Sequence, residues 1–450
     1  MLKQATAGAA LASVGGRFPR RSLQGFGDPP RLRIAYLSCS GFQGNTTTAN
    51  FVRGLFGMHD ARHFEVHCVA RGSGSFPGGV DGSPAQGQIL EDCHRVWDHT
   101  RFSVSESAAQ LHSLEVVVLI DLTGWTLFPC SEVLAMEPAP VQVQWHGYPG
   151  TMGAPFVHYI GADAIVSPPE HQADYVERML YTPLSYLLNH HPFAHASALA
   201  RPHLPILNLT SGEHIPPPSR SALGPYLRRL GSNLTSYRPD GGVREVEGFE
   251  ESDVLLCSWN TPFKLDPHTL DAWLSALVRF PDARLWLMVF DGAAPPNIAR
   301  EAEALGVDPA RIVWSSFFPR QVEFQVKGLA DLFLDTPSFN AHTTGVDALW
   351  AGTPLLTYPR DEFSSRVAAS LVLGEGSAAA TLTRNLEDYG ATLHALIRHP
   401  SRLRTLGATL KEHRESPSSG QTGQMSSGQT GQMSGLWCVA DWVRGPNPKY

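Results

Sequence analysis

Leu334-Asp-Thr-Pro-Ser-Phe-Asn-Ala-His342-Thr343-Thr344-Gly345-Val-Asp347-Ala-Leu-Trp-Ala-Gly-Thr-Pro354 runs from an apolar strand, Asp331-Leu-Phe-Leu-Asp335, through a short polar loop into a helix. The first turn of a helix leaves backbone N–H groups without intrahelical partners, and the aligned peptide dipoles make that end partly positive. Small hydroxyl residues at this position let a phosphate approach closely, so the stretch reads as an anion cradle behind a strand. His342 would add a donor. Asp347 lies one helical turn past Thr343 on the same face, where a carboxylate accepts from ribose hydroxyls. The same pattern also fits an ordinary N-capped core helix, because strand–loop–helix junctions are the common joints of α/β proteins.

Working outward, the residues on either side alternate strand and helix signals in two separate runs. In the first, Arg31 to Ser38, Phe64 to Ala70, Arg95 to Trp97, Val116 to Leu122 and Val141 to Trp145 read as strands, with a helix from Thr48 to Met58. In the second, Val254 to Trp259, Leu285 to Val289, Ile312 to Trp314 and Leu332 to Leu334 read as strands, with helices at Pro267 to Phe280 and Ile298 to Leu305. Leu270, Trp273, Leu274, Leu277 and Val278 would share the buried face of the helix at Pro267. Apolar runs with little alternation suit strands covered on both faces, as in a parallel sheet. The expected fold class is therefore α/β, with two Rossmann-like domains facing across a cleft.

The expected organisation is a disordered or targeting-like segment at 1–30 and a first lobe at 31–195. A connecting insertion at 196–252 follows, then a second lobe at 253–415 and a low-complexity tail at 416–450. The insertion is rich in Pro, Ser and Gly and ends in an acidic cluster, while the tail repeats Ser-Ser-Gly-Gln-Thr-Gly-Gln-Met twice. No helical-hairpin repeat of about 34 residues appears.

A chain of 450 residues with 42% hydrophobic and 17% charged residues exceeds what one core usually supports, so two domains are expected. The net charge of −7, with no basic stripe interleaved with aromatics, argues against nucleic acid as a partner. No apolar run approaches membrane-spanning length, which argues against a membrane partner. Six scattered cysteines without a Cys-x-x-Cys pair suggest buried thiols in a reducing compartment, hence a cytoplasmic or nuclear protein, and no structural zinc. The first 27 residues lack Asp and Glu but carry Lys3, Arg17, Arg20 and Arg21, which suits an organelle transit peptide or a disordered stub.

Chemistry enters through Lys264. It follows the strand ending at Trp259 by way of Asn260-Thr-Pro-Phe, near the sheet edge where α/β domains bind ligands. A sugar-nucleotide transferase must neutralise a departing diphosphate. Some hold a metal between closely spaced carboxylates, but this chain has no Asp-x-Asp, and a fixed cation with helix amides does the same job. Alone, Lys264 reads more readily as a solvated loop lysine.

The His342-Thr-Thr-Gly-Val-Asp347 block, Leu349-Trp-Ala-Gly-Thr-Pro354, Arg366-Val-Ala-Ala-Ser370, Pro138-Ala-Pro-Val-Gln142 and Gly147-Tyr-Pro-Gly-Thr151 resemble the catalytic region of the protein O-linked N-acetylglucosamine transferases. The resemblance covers Arg31 to about His195 and Val254 to about Leu396. It implies the metal-independent GT-B fold and an inverting transfer of N-acetylglucosamine from UDP-GlcNAc to Ser or Thr hydroxyls of proteins. No cofactor beyond that donor is implied. His342, Thr343 and Thr344 would hold the diphosphate, Asp347 the ribose, and Asn260 and Arg320 would join the UDP-sugar site. Lys264 would stabilise the leaving group, and Asp98 would relay a proton near the acceptor. A plant relative in the same superfamily uses a GDP-fucose donor with a Thr-rich cradle, so this chain resembles the UDP branch more.

It also departs from the family. Thr46, in the acceptor-side loop, stands where the family has a histidine, and Thr is no general base near neutral pH. Glu323 stands for a second histidine, Arg320 for a lysine, Thr261 and Phe263 for a Gln and a Tyr, and Glu137 for an Arg. The family's tetratricopeptide array does not appear in these 450 residues. Two alternatives follow: a degenerate module that binds UDP-sugar without turnover, and a fucosyltransferase-like enzyme using a GDP-sugar.

Overall fold

The structure is a computed structural model. It describes residues 31–415, apart from 41, 43–45, 73–83, 127, 189–190, 192–205, 208–213 and 320–321. The described residues on either side of the 193/194 boundary form two compact units. The expected segments 1–30 and 416–450, and Arg320, lie outside the described residues.

The first unit runs β1 (Leu32–Ser38), α1 (Thr47–Val52), β2 (Phe64–Ala70), α2 (Pro84–Asp92), β3 (Arg95–Asp98), α3 (Val104–Ser113), β4 (Val118–Asp121), α4 (Ser131–Ala135), β5 (Val141–Gln144), β6 (Tyr159–Ala162) and β7 (Arg178–Tyr181). Its strands form one parallel sheet in the order β3-β2-β1-β4-β5-β6-β7. The inner strands are buried on both faces, as the unalternating runs anticipate. Helix α3 starts at a capping box, with the Ser103 side chain accepting from the Glu106 amide and the Glu106 carboxylate accepting from the Ser103 amide.

The second unit opens with the two-residue strands β8 (Ile206–Leu207) and β9 (His214–Ile215), which pair with each other. Then come α5 (Leu223–Arg229), β10 (Leu234–Tyr237), β11 (Val243–Glu245), β12 (Val254–Ser258), α6 (Pro267–Arg279), β13 (Ala283–Met288), α7 (Ala294–Ala304), β14 (Ile312–Ser315), α8 (Glu323–Lys327), β15 (Leu332–Leu334), α9 (Thr343–Ala351) and β16 (Leu355–Leu356). The chain closes with α10 (Val367–Glu375), α11 (Ala378–Thr381), α12 (Leu386–Arg398) and α13 (Pro400–Glu415). The sheet order is β11-β10-β14-β13-β12-β15-β16, parallel except for β10 and β11.

Two expectations need correction. Residues 223–245, expected within a connecting insertion, supply a helix and two antiparallel strands to the second sheet. Their Pro, Gly and Ser content hides an edge hairpin whose outer strand is fully exposed and so shows no apolar alternation. The cysteines are not all unpaired: Cys39 is disulfide-bonded to Cys130 and Cys68 to Cys93, with Cα–Cα separations of 5.7 and 6.2 Å, and Cys257 remains a buried thiol. The partners are 91 and 25 residues apart in sequence, so spacing alone does not reveal them. Cysteine usage therefore does not point to a reducing compartment.

The core of the second unit packs α6 and α12 on the sheet. Trp273, Leu274 and Leu277 of α6 are buried there as expected, whereas Val278, expected beside them, is exposed and Ala276 takes the inward position. Beneath the ends of β12 and β15, Trp259 packs edge-on against Trp286, Phe318 and Phe333 at 5.6 to 6.0 Å, an arrangement aromatic quadrupoles favour.

Candidate functional site

In the second sheet β12 lies between β13 and β15, so the chain reverses direction of travel across the sheet between β12 and β15. Loops leaving the carboxyl ends of such a strand pair flank the crevice where open α/β sheets bind ligands. The loop after β12 carries Asn260 and Lys264, and the loop after β15 carries His342 and leads into Thr343 and Thr344 at the start of α9. Lys264 and His342 meet at Phe339, and Asn260 meets Thr344.

Phe339 marks the centre. The Lys264 ammonium lies over its ring at 4.5 Å from the centroid, and the His342 ring stacks on it with centroids 5.1 Å apart. Phe263, three-quarters exposed, meets the same ring edge-on at 6.3 Å. Lys264 closes a 3₁₀ turn whose Pro262 fixes the backbone, and its Nζ donates to the Asn340 carbonyl at 2.8 Å. His342 is the residue before α9, and its Nε2 lies 3.1 Å from the Ser364 carbonyl. Ammonium, imidazole and the first-turn amides of α9 are therefore presented by two short, tied-down loops.

The loop itself is held by buried polar side chains. The Asp335 carboxylate accepts from the Ala341 amide and the Thr357 hydroxyl, each at 2.6 Å. Asn340, fully buried, accepts at Oδ1 from the Ala368 amide and donates from Nδ2 to the Thr336 carbonyl. Ser338 donates to Asp266, the N-cap of α6, and accepts from Arg360. Asn260 is also a lacing residue: its Nδ2 donates to the Thr336 hydroxyl at 2.8 Å while its Oδ1 accepts from the Thr344 hydroxyl at 2.7 Å. Such preorganisation is what an electrostatic site needs, because its dipoles cost no rearrangement when charge develops.

Burial tunes two of these groups. It pushes the Lys264 ammonium down to about 8, against the pull of Asp335. It pushes Asp335 up to about 6, against the Thr357 hydroxyl, the Ala341 and Thr336 amides and Lys264. An ammonium lowered by burial at a sheet's ligand-binding edge is suited to an anion.

Asp347 sits within α9 as the periodicity requires, mostly buried, with Oδ2 accepting from Lys327 Nζ at 2.8 Å. Lys327 also donates to Glu323 Oε1 at 2.7 Å. Glu323 thus sits in an ion pair with a neighbour that its reading as a replacement for a histidine does not anticipate.

The remaining candidates belong to the first unit and are described within it. Asp98 ends β3 and is exposed, its Oδ1 accepting from the Thr100 amide at 2.9 Å and the Thr100 hydroxyl at 2.5 Å. Thr46 is the N-cap of α1, its Oγ1 accepting from the Ala49 amide at 3.2 Å. Asp98 occurs at the carboxyl end of a strand and Thr46 at the start of a helix, and both are engaged in local turns. Sequence reading missed Asp335, Phe339, Asn340 and Lys327. Asp335, a carboxylate at the end of an apolar strand, was the one with a visible signal. Among the described residues no three His, Cys, Asp or Glu side chains cluster as metal ligands.

A family model, glycosyl transferase family 41, matches residues 18–201 and 242–424. The chain belongs to glycosyl transferase family 41. This family 41 chain is 29% identical over 384 residues to a probable UDP-N-acetylglucosamine–peptide N-acetylglucosaminyltransferase of Arabidopsis thaliana, the match covering 85% of this chain and 35% of that protein. It is 27% identical over 416 residues to the UDP-N-acetylglucosamine–peptide N-acetylglucosaminyltransferase of Caenorhabditis elegans, with 77% and 35% covered. The chain therefore spans about a third of the length of the curated relatives it matches. Among solved structures, a mutant O-GlcNAc transferase of Thermobaculum terrenum superposes with a TM-score of 0.67 at 22% identity, covering 91% of this chain and 69% of that one, which shows a shared fold.

Proposed function

We propose that this family 41 chain transfers N-acetylglucosamine from UDP-GlcNAc to Ser or Thr hydroxyls of proteins by inverting displacement, without a metal or a cofactor other than the donor. The observation that carries the proposal is the convergence of Lys264 and His342 on Phe339 at the mouth of α9. Lys264, His342, Thr343 and Thr344 take the diphosphate, with Asn260 holding Thr344 in place, and Asp347 takes the ribose. In this reading 253–415 is the sugar-nucleotide lobe and 31–195 the acceptor lobe.

The acceptor oxygen attacks the anomeric carbon as the bond from that carbon to the diphosphate oxygen breaks. Negative charge then grows on the departing UDP. A desolvated ammonium and fixed helix amides stabilise that charge more than they stabilise the bound substrate, which is the condition for raising rate rather than only affinity. Asp98 is the group proposed to relay the acceptor proton, and Thr46 shapes the acceptor loop as a helix cap. The two disulfides leave a cytoplasmic or nuclear site of action without its cysteine argument, and the alternative is an organelle, with the acid-free N-terminal segment as a transit peptide. Among the described residues no helix is long and apolar enough to cross a membrane.

The test is UDP release from UDP-GlcNAc in the presence of an acceptor peptide. Lys264→Ala should lower the rate by about 10²–10³, the usual cost of losing one charge-stabilising contact. Unchanged turnover in that variant would defeat the assignment, and GDP displacing a labelled donor better than UDP would redirect it to a GDP-sugar enzyme. A second reading, a chain that binds UDP-sugar without transfer, is favoured by Thr46 serving as a cap and Glu323 pairing with Lys327. UDP binding with no glycosylated product after long incubation would select it.

A further inference from the structure

Lys327 has no role in the site as read from the sequence, yet it is the most deeply buried cation beside that site, with its side chain only 2% exposed. It ends α8, and Glu323 lies one turn earlier on the same helix face. Nζ bonds Glu323 Oε1 at 2.7 Å and Asp347 Oδ2 at 2.8 Å, bridging α8 to α9. The ammonium also lies 5.7 Å from the Trp259 ring at the end of β12. Burial alone would drive this ammonium down, but Asp347 and Glu323 together outweigh it and hold the proton more firmly than usual.

Stability is a poor reason for such a group. Replacing a buried ion pair by apolar side chains of similar volume is often neutral or favourable. Charge balance points elsewhere. One ammonium against two carboxylates leaves a net negative charge one helical turn from a cradle built for an anion. That is the wrong sign for diphosphate, and it is tolerable where the carboxylate accepts from hydroxyls and is kept from swinging toward the phosphates. Asp347 keeps 11% of its side chain exposed, so it is not wholly enclosed.

We propose that Lys327 is a positioning residue: by holding Oδ2 of Asp347 it fixes that carboxylate against the ribose hydroxyls of the donor, and so sets a preference for ribo- over 2′-deoxyribonucleotides. The inference rests on the UDP-sugar reading above and adds the group that enforces its sugar recognition. A carboxylate already confined to one rotamer has little side-chain entropy left to lose on binding and accepts in a set direction, whereas a freed one adapts to either sugar.

Calorimetry on the full chain with UDP and with 2′-deoxy-UDP tests this. The wild type should bind UDP about ten- to hundredfold more tightly, the range expected for one hydrogen bond to a charged acceptor. In Lys327→Met that ratio should fall toward one, while Lys327→Arg should keep most of it. If Lys327→Met does not fold, Lys327→Gln, which keeps a donor but no charge, should give an intermediate ratio. A Lys327→Met protein that loses affinity for both nucleotides by the same factor overturns the inference, because a purely structural residue behaves that way. A wild type that binds UDP but does not discriminate overturns it as well. A wild type that binds no UDP overturns the donor reading and the inference together.

Discussion

Binding of UDP should make Lys264 take up a proton, and the amount should follow a curve set by its burial. The free ammonium is lowered to about 8, with burial the first cause. A bound diphosphate adds negative charge to that of Asp335 and returns the group to its ordinary range near 10.5 or above. The sign follows directly. The complex holds more protons than the free chain between these two values, so affinity is highest below pH 8 and falls as pH rises above it. At pH 7 the free group is already about nine-tenths protonated and uptake is only about 0.1 proton. At pH 8 uptake is about 0.5, and at pH 9 about 0.9, with affinity falling about fivefold from pH 8 to pH 9. Asp335 titrates near 6, below this window. The uracil N3–H begins to ionise at its upper end, but that contribution is common to every variant. Titration of UDP into the chain in two buffers of different ionisation enthalpy measures the uptake at each pH. Lys264→Arg, which stays charged throughout, should bind with no comparable uptake at pH 9. Equal uptake in the arginine variant, or none in the wild type at pH 9, would refute the claim that a desolvated Lys264 meets the diphosphate.

Two substitutions probe the scaffold beneath the cradle. At Gly345 an added Cβ would stand 3.1 Å from Leu355 Cδ1 and 3.2 Å from both Ala341 Cβ and Leu371 Cδ1. Gly345→Ala should therefore cost about 1–3 kcal/mol by overpacking and shift the first turn of α9, read as a lower denaturation midpoint and weaker UDP binding. Asn340→Ala strips partners from the Ala368 amide and the Thr336 carbonyl, so a loss of about 1–3 kcal/mol is expected in urea unfolding, with UDP affinity falling as the Lys264 anchor loosens. A midpoint within experimental scatter of wild type would show that water replaces those bonds.

The features that were legible in the sequence share a cause. Apolar runs such as Val254 to Cys257 declare themselves because a strand buried on both faces carries mostly apolar side chains. The cradle was legible because its loop, its hydroxyls and Asp347 are all local in sequence. What stayed hidden depends on contacts made at a distance. Thr235 and Ser236 of β10 read as loop residues, yet both are buried, since the ladder to β14 and the bond from the Thr235 hydroxyl to the Trp314 carbonyl satisfy them. Glu323 and Lys327 have the spacing of a solvated helix pair, and only the approach of α9 turns that pair into a buried bridge. Val278 fails for the opposite reason: its position follows the period within tolerance, but α6 turns Ala276 inward where the period allowed either.

Each unit also carries the same framework device, which separates what is general to the fold from what is particular to the site. The strand that follows the reversal in each sheet, β4 in the first and β15 in the second, leads into a buried aspartate, Asp121 or Asp335, that burial pushes up to about 6. Asp121 accepts from the Thr123 and Gly124 amides, and Asp335 from the Ala341 amide. In the first unit the Thr123 hydroxyl then ties back to the Cys39 amide after β1; in the second the Thr336 hydroxyl ties back to Asn260 after β12. A carboxylate that bends the loop and a hydroxyl that laces it to the central strand are thus properties of the fold, and by themselves predict no ligand. The second unit adds an ammonium lowered by burial, a stacked imidazole and a helix that opens on two threonines. Those three additions have no counterpart in the shared framework, and all three suit a diphosphate, so the proposal of a donor site in this unit rests on chemistry rather than on architecture.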